Sequence, residues 1–430
     1  MKSETQQFSF TEYKVFKNKM LNWASRFNIF CFLDNNGYQP GTEQFDCILA
    51  AGSRRFIKLE PKTAFEQLKF FYDSEPSWLF GHLGYALDNE EKKVKASKKD
   101  EIDFGTGFFF EPEVLIKIRN NELTITSATH NVQEIFEAIE QEPPNIAVRI
   151  NSTIKLQNSI SQKEYMTAVA NLQHHILRGD CYEINFCQRF FAEDAIIDPL
   201  YTYHRLTEFS PNPFSALYKL NDKYCLCASP ERYLQKSGQT IISQPIKGTS
   251  KRNLLDKNED EASRNYLISS AKEKSENVMV VDLVRNDLSR ICEEGSVQVK
   301  ELFGIYSFPQ VHQMISTIQG IIKKELHWTD AIKATFPMGS MTGAPKKRVM
   351  ELIDEYETAA RGLFSGTIGY VTPDDDFDFN VVIRSIFYDA ANRKLSFSAG
   401  GGITFNSNAE EEYKESMLKA EAILQVLQLQ

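Results

Sequence analysis

The spacing of apolar residues changes period along the chain, and each period predicts one kind of element. Residues Val114 to Thr126 alternate between apolar and polar on both sides of Asn120-Asn121, which is typical of a β-hairpin. Ser161 to Glu164 has the sequence of a helix capping box. The residues that follow repeat at helical spacing and predict a helix that ends near Gly179. Its apolar stripe is Tyr165, Val169, Leu172 and Ile176.

The C-terminal part of the chain also mixes the two periods. Tyr224 to Thr249 is typical of two strands that turn at Ser237-Gly238, and Asn380 to Ile403 of a further hairpin. Residues 260 to 290 predict a helix, and Glu410 to Leu427 predict a terminal one. Strands and helices do not alternate strictly, so the pattern favours an α+β fold with antiparallel sheets. The stripe expected on the 260–290 helix is Leu267, Ala271, Val278 and Arg285.

Two breaks in the pattern suggest how the chain is divided. Asp88 to Asp103 is rich in charges and is expected to form a solvated loop. Gln141 to Pro144 contains two consecutive prolines, which interrupt regular structure. We therefore divide the chain into residues 1–150 and 155–430 and expect both regions to belong to one intertwined structural unit.

Composition and charge narrow the functional classes. The chain has 430 residues, of which 42% are hydrophobic, and a net charge of -9. No basic field is present to collect phosphates, so nucleic acid is not expected as a partner. No apolar run approaches the ~20 residues of a membrane span, and the polar start at Met1 to Gln7 lacks a signal core. The seven scattered cysteines predict free, buried thiols and a cytoplasmic protein.

One lysine and one glutamate are candidates for catalysis. Lys247 lies in the segment Gln244 to Thr249, where a proline precedes it and a glycine follows it. A desolvated lysine has a lowered pKa and can act as an amine nucleophile. Glu231 precedes it on the same predicted hairpin and can serve as general acid and base. From these segments alone, an exposed turn lysine and a surface ion pair remain open alternatives.

Two pairs of glutamates have the spacing of a candidate metal site. Glu273 and Glu276 are three residues apart on one predicted helix, and Glu412 and Glu415 on another. That spacing puts each pair on one helix face. Four converging carboxylates without His or Cys suit a hard cation such as Mg²⁺. The simpler alternative is two solvated helix faces, because glutamate is common on helices.

Two loops of small residues predict a site for an anion. Gly339 to Lys346 leads into a helix N-terminus, where free backbone N–H groups suit a carboxylate. Ser398 to Ile403 contains three consecutive glycines that leave backbone amides accessible. Arg384, on the strand that leads toward the second loop, can hold a carboxylate bidentately. Together they make a dicarboxylate site credible, although each loop is also compatible with an ordinary turn.

The order of these segments resembles that of the chorismate-utilising enzymes, which include anthranilate, aminodeoxychorismate, isochorismate and salicylate synthases. The resemblance spans most of residues 160 to 430, and Gly81 to Tyr85 adds a match in the N-terminal region. The matching segments are Ser229 to Arg232, Pro245 to Thr249, Glu276 to Arg290, Phe336 to Lys346, Gly366 to Tyr370, Val382 to Arg384, Ser398 to Ile403 and Glu411 to Ala420.

The resemblance implies a fold and a set of site residues. The expected fold has two large antiparallel β-sheets packed as a sandwich with helices on the outside. Glu276 and Glu415 are expected to hold Mg²⁺, supported by Glu273 and Glu412, and Glu231 is expected to act at the leaving hydroxyl. The residues expected to bind chorismate are Gly248, Thr249, His312, Ser340, Tyr370, Arg384, Gly400, Gly401 and Gly402.

Two positions distinguish among the family's activities. Anthranilate synthases resemble this chain but carry alanine in place of Lys247, whereas the aminodeoxychorismate-forming branch typically carries the lysine. Isochorismate and salicylate synthases place a lysine in the segment that matches Cys181 to Asn185, where this chain has Glu183. A glutamine would be expected there in an aminating enzyme. Glu183 is interpreted as a local salt-bridge partner, with the orientation of ammonium as the alternative.

The function implied is the amination of chorismate at C4 through a covalent adduct with Lys247, for para-aminobenzoate and folate biosynthesis. No glutamine amidotransferase domain is recognisable, so ammonia is expected from a separate glutaminase subunit. The alternatives are an anthranilate synthase large subunit and a homologue that has lost catalysis.

Overall fold

The structure is a computed structural model that describes residues 3–38, 45–88, 98, 100–146 and 154–428. Its helices are α1 (Tyr13–Ala24), α2 (Ala64–Ser74), α3 (Val132–Glu140), α4 (Gln162–Leu177), α5 (Pro199–Phe209), α6 (Lys257–Ser269), α7 (Ala271–Ile291), α8 (Trp328–Thr335), α9 (Lys346–Tyr356) and α10 (Ala409–Gln428). Short 3₁₀ turns occupy Tyr85–Asp88 and Gly339–Met341. No helix in the described part of the chain is long and apolar enough to span a membrane.

The strands fall into two antiparallel sheets. They are β1 (Glu4–Phe8), β2 (Ile29–Asp34), β3 (Cys47–Ala51), β4 (Arg55–Lys58), β5 (Leu79–Leu83), β6 (Gly107–Glu111), β7 (Val114–Arg119), β8 (Glu122–Ser127), β9 (Gln157–Asn158), β10 (Glu183–Ala192), β11 (Phe214–Leu220), β12 (Lys223–Ser229), β13 (Arg232–Ser237), β14 (Thr240–Gln244), β15 (Ile246–Lys251), β16 (Gln298–Ser307), β17 (Val311–Ile321), β18 (Gly343–Ala344), β19 (Thr367–Val371), β20 (Phe377–Asn380), β21 (Ser385–Asp389) and β22 (Lys394–Ile403).

Each sheet combines strands from both ends of the sequence. The larger sheet has the order β1-β8-β7-β3-β2-β11-β12-β21-β22-β10-β18, with β9 beside β10. The smaller has the order β15-β17-β14-β13-β20-β19-β5-β6-β4, with β16 beside β17. In the larger sheet β2 pairs with β11, and in the smaller sheet β5 pairs with β19. Strands from the first 150 residues therefore pair directly with strands from the rest of the chain.

The main core lies between the two sheets. It joins side chains of the larger sheet, such as Tyr218 and Cys225, to phenylalanines of the smaller, such as Phe80 and Phe109. Helices α1, α3, α5 and α10 cover the outer face of the larger sheet, and α7 and α8 pack on the smaller one. Burial of these apolar surfaces provides the main stabilisation of the sandwich. The predicted α+β sandwich is confirmed.

Most of the predicted elements are confirmed. The hairpin at Asn120-Asn121 is present as β7 and β8, and both asparagines have positive φ, as a tight turn requires. Ser161 forms the predicted capping box with Glu164 at the start of α4. All seven cysteines are free and buried. The predicted loop at 88–103 and the boundary at 150–155 lie largely outside the described residues.

Two predicted elements differ from the structure. The helix expected at 260–290 is divided at Ser270, which ends α6 and caps α7 through its side chain. Of the predicted apolar stripe only Leu267 is buried, whereas Ala271, Val278 and Arg285 are exposed. The buried face of α7 instead includes Val280 and Val284. The two strands expected from Tyr224 to Thr249 are four, because turns and proline interrupt the run.

Candidate active site

A cavity opens where strands of both sheets meet α7 and α10. Its wall combines charged side chains from β15, α7, α10 and the residue before β13 with backbone from β22. The lining residues named in the sequence analysis are Glu231, Lys247, Gly248, Thr249, Glu273, Glu276, Ser340, Arg384, Gly400, Gly402 and Glu415. The tertiary structure thus brings together both catalytic candidates, three of the four metal candidates and most of the predicted substrate ligands.

Lys247 lies on β15 directly after the bend at Pro245. Strands β14 and β15 pair with successive parts of β17, so the proline interrupts a continuous edge and lets Lys247 turn into the cavity. The side chain is only 9% exposed, and its ammonium forms an ion pair with Glu183. Burial by itself lowers the pKa of Lys247, but Glu183 and Glu276 outweigh it and raise the pKa above its ordinary value.

Glu231 precedes β13 and is held almost fully buried. Burial raises its pKa from 4.5 to about 7, although a hydrogen bond from Ser340 and the charge of Lys247 oppose the shift. The carboxyl group is therefore partly protonated at neutral pH. That state suits a group that donates a proton and later accepts one.

Arg384 stands opposite Glu231 at the start of β21. Its backbone has φ +51, a left-handed conformation that turns the chain sharply between β20 and β21. Burial lowers the pKa of the guanidinium to about 10, while the nearby charge of Glu231 raises it. A half-buried guanidinium that faces a cavity is suited to bind a carboxylate bidentately.

The glycines from Gly400 to Gly402 are part of β22 rather than a loop beyond the strand. Strand β21 pairs with β22 only as far as Ser396, so the glycine segment has a strand partner on one side, β10. Backbone groups that point away from β10 are consequently left for a ligand. A methyl group at Gly402 would collide with Lys247 Nζ, so the missing side chain gives the lysine its space.

The glutamates provide oxygen atoms that fit a hard cation. Glu273, Glu276 and Glu415 line the cavity, and Glu276 Oε1 is buried without a hydrogen-bond partner among the described residues. Burial raises the pKa of Glu273, and raises that of Glu276 to about 7. A divalent cation would relieve both costs, and such a donor set suits Mg²⁺. Within the described ranges, no group of three or more His, Cys, Asp or Glu side chains has an arrangement that could hold a metal ion without side-chain movement.

Lysine ammonium groups occupy part of this carboxylate cluster. Lys419 Nζ lies 2.8 Å from Glu415 and lowers the pKa of that carboxyl group to about 2. Lys272 Nζ lies 3.1 Å from Glu412 and 3.8 Å from Glu276. Glu412 is fully buried against Lys272 and does not line the cavity, so its contribution to a metal site would be indirect.

Three of the predicted substrate ligands do not line this cavity. His312 is bonded to Ser307 and Asp260 on the other side of β17. Tyr370 lines a second cavity near Asp34. Gly401 lies between two lining glycines. A Cβ built on Gly401 would point toward α10 and lie 3.3 Å from Glu412 Oε2. Successive strand residues point to opposite faces, which explains why neighbours in sequence can separate in this way.

Several lining residues were missed by the sequence analysis. Gln313 is 1% exposed, and within the described structure its Oε1 has no hydrogen-bond partner. It sits next to His312, and strand alternation shows that only one of the two can face the cavity. Lys419 follows Glu415 by four residues, a helical spacing that identifies it as a neighbour. Asn185 and Cys187 lie on β10, and nothing in the neighbouring sequence marks them as cavity residues.

Comparison with known proteins agrees with the sequence resemblance. A family model described as chorismate binding enzyme matches residues 31–425. Aminodeoxychorismate synthase component 1 of Escherichia coli (strain K12) is 40% identical over 352 residues, 81% of this chain and 76% of that protein. The Salmonella typhimurium protein of the same name is 40% identical over 375 residues, 85% of this chain and 81% of its own length. Among solved structures, anthranilate synthase component I from Streptococcus pneumoniae TIGR4 superposes with a TM-score of 0.75 at 27% identity, covering 87% of this chain and 91% of that one.

Proposed function

This chain belongs to the family of chorismate binding enzymes, and on that premise we propose that it is an aminodeoxychorismate synthase component 1. It converts chorismate and ammonia to 4-amino-4-deoxychorismate. The observation that carries this choice is the buried lysine, Lys247, in the cavity wall, because the covalent route to a C4 amine needs an amine nucleophile. Relatives at 40% identity with that name support it.

Chorismate carries two carboxylates, and the cavity offers two kinds of group to receive them. Arg384 supplies a planar guanidinium for one carboxylate. The accessible backbone of the β22 glycines and the 3₁₀ turn at Ser340 supply neutral hydrogen-bond donors. These groups fix the ring so that C2 faces Lys247 and the C4 hydroxyl faces Glu231. The rate gained from such positioning is large, because a bound, oriented pair avoids the entropic cost of encounter.

Two displacements then give the C4 amine. The neutral Lys247 amine bonds to C2, the two ring double bonds shift, and the C4–O bond breaks as Glu231 protonates the departing hydroxyl to water. Ammonia next bonds to C4, the double bonds shift back, and the C2–N bond to Lys247 breaks. Because both attacks are allylic, nitrogen ends on the carbon that the hydroxyl left.

Mg²⁺ is the cation that we propose for the glutamate cluster. Glu276 and Glu415 would hold it, with Glu273 beside them and Glu412 behind, and Lys272 and Lys419 would have to withdraw from the oxygens they contact. The cation would supply positive charge to bind a substrate carboxylate and stabilise the departing hydroxyl.

Ammonia is proposed to come from a partner subunit with glutaminase activity. The relatives are named as component 1 of their enzyme, which implies a further component. The product leads to para-aminobenzoate and folate. The free, buried thiols support a cytoplasmic location.

The first test is the detection of the covalent intermediate. The protein is incubated with chorismate and Mg²⁺ but without ammonia and analysed by intact-protein and peptide mass spectrometry. We expect an adduct of chorismate minus water on Lys247, and none on Lys247→Ala. Lys236→Ala is the matched control, because Lys236 lies on neighbouring β13, outside the cavity, paired with Asp376 at 3.4 Å.

The products distinguish the remaining alternatives. With ammonium present, wild type should form aminodeoxychorismate and Lys247→Ala should not. Anthranilate as the main product, with no adduct, would instead identify an anthranilate synthase. If chorismate did not bind in the presence of Mg²⁺, the chain would be a homologue that has lost catalysis.

A further inference from the structure

The ion pair between Lys247 and Glu183 poses a chemical problem for the proposed function, on which this inference rests. Lys247 can attack carbon only as a neutral amine, yet the structure holds it as an ammonium against a carboxylate. Burial of the pair hinders exchange of the proton with solvent, since Glu183 is 3% exposed and Lys247 is 9% exposed. The proton therefore needs an acceptor inside the site.

Glu183 is arranged to be that acceptor. It begins β10, and it lies behind Lys247 rather than in the cavity wall. One oxygen, Oε1, contacts Lys247 Nζ, and the other, Oε2, is buried and has no hydrogen-bond partner in the described part of the chain. The two groups meet in the space left by Gly402, whose hypothetical Cβ would lie 2.6 Å from Glu183 Oε1. Glu183 is therefore in direct contact with the atom whose proton must be accepted, and its second oxygen is held in no competing hydrogen bond within the described residues.

We propose that Glu183 accepts the proton of Lys247 when the lysine attacks chorismate, stores it during the covalent stage and returns it when the lysine is released. Glu183 touches a reacting atom and is in this sense catalytic. The proposal replaces the interpretation of Glu183 as a purely structural salt bridge.

The proton and electron balance closes over the cycle. An N–H bond of Lys247 breaks and an O–H bond forms on Glu183, which removes both charges of the ion pair together. The lysine lone pair forms the C2–N bond, and the hydroxyl leaves as water with the proton of Glu231. When ammonia displaces the lysine, the bonding pair returns to Nζ, and Glu183 gives its proton back. The amine formed at C4 supplies the proton that restores Glu231.

Other charged groups around Lys247 are less suited to this role. Four glutamates influence Lys247 electrostatically: Glu231 immediately before β13, Glu273 and Glu276 on α7, and Glu415 on α10. Cys187 lies nearby on β10. Glu231 is needed in its protonated form at the hydroxyl, and three glutamates face the proposed metal. The thiol of Cys187 has a pKa raised to about 12 by burial, so it remains neutral and cannot accept a proton.

The pH dependence of adduct formation tests the proposal. Single-turnover rates are measured by quenched mass spectrometry at saturating chorismate and Mg²⁺, without ammonia. If Glu183 takes the proton, no proton leaves the site, so the wild-type rate should be flat between about pH 5.5 and 6.5, below the pKa of Glu231. In Glu183→Gln the proton must go to solvent, and the rate should rise about tenfold per pH unit over the same range.

Two further variants keep the test decisive. Glu183→Asp retains a carboxylate and should restore a flat profile even if its shorter side chain slows the reaction. Glu357→Gln removes a different buried carboxylate, paired with Arg361 at 2.6 Å, and should leave the slope unchanged. A wild-type rate that rises tenfold per pH unit, or a flat profile in Glu183→Gln, would overturn the role of Glu183. Absence of any wild-type adduct would instead count against the proposed function.

Discussion

Glu231→Gln should make the protein more stable and catalytically inactive at the same time. Burial raises the pKa of Glu231 from 4.5 to about 7, so the folded protein holds this proton more tightly than the unfolded chain does. Its contribution to stability is therefore fully present below pH 4.5 and is lost as the pH rises through about 7. A glutamine of similar shape stays neutral at every pH and avoids this loss.

The magnitude follows from the size of the shift. A carboxyl group with a pKa of 4.5 unfolded and about 7 folded costs the folded state about 3 kcal/mol at pH 8 and less than about 1 kcal/mol at pH 5. The advantage of Glu231→Gln over wild type should therefore grow by about 2–3 kcal/mol between those two pH values. This change with pH is the signature, because any packing defect of the amide is the same at both.

The assay is urea-induced unfolding at pH 5 and pH 8, followed by tryptophan fluorescence, without Mg²⁺ or chorismate. Glu357→Gln is the matched control, since it leaves Arg361 buried without its charge partner and should lose about 3–5 kcal/mol at both pH values. A stability difference between Glu231→Gln and wild type that is independent of pH would refute the reasoning, because Glu231 would then not be held neutral by burial.

Replacing Glu231 should abolish catalysis even though it stabilises the fold. Because Glu231 donates a proton to the leaving hydroxyl, the rate of adduct formation by the wild type, measured without ammonia, should fall about tenfold per pH unit above pH 7. Glu231→Gln should form no adduct with chorismate at any pH. A variant that still forms the adduct at the wild-type rate would remove Glu231 from the mechanism.

Three further substitutions probe the surroundings of the cavity. Gly402→Ala should reduce adduct formation about 100-fold or more in the mass spectrometric assay, because the added methyl would occupy the position of Lys247 Nζ and displace the nucleophile. Lys272→Ala should tighten Mg²⁺ binding about tenfold by calorimetric titration, because it removes an ammonium that lies 3.8 Å from Glu276. Arg384→Lys should raise the KM for chorismate about 10- to 100-fold in steady-state kinetics with little change in kcat, because a lysine cannot hold a carboxylate bidentately.

Each of these expectations has a clear contrary result. A normal adduct rate in Gly402→Ala would mean that the lysine reacts from another position. Unchanged Mg²⁺ affinity in Lys272→Ala would place the metal away from Glu276. A lower kcat at unchanged KM in Arg384→Lys would assign the arginine to the transition state instead of substrate binding.

The sequence by itself determined the local elements and the family. The hairpin at Asn120-Asn121 and the capping box at Ser161 depend on neighbouring residues, so their patterns predict them directly. The motifs around Lys247 and Glu231 were recognisable because they resemble those of the chorismate-utilising family, whereas the segments alone left an exposed lysine and a surface ion pair open. A continuous helix at 260–290 was the wrong prediction, because the side chain of Ser270 can cap a new helix as easily as it can continue an old one.

Only the tertiary structure decided which side chains meet. His312 and Gln313 are adjacent on β17, so their side chains point to opposite faces of the sheet. The pairing register of β17 puts Gln313 in the cavity, and a shift of one residue would put His312 there instead. The sequence gives no distance between Glu183 and Lys247, which come from different sheets and meet only because Gly402 leaves room between them. Local patterns fix elements because their causes lie within a few residues. Ion pairs, burial and the pKa values they produce depend on groups far apart in the chain, and these come together only when the two sheets pack.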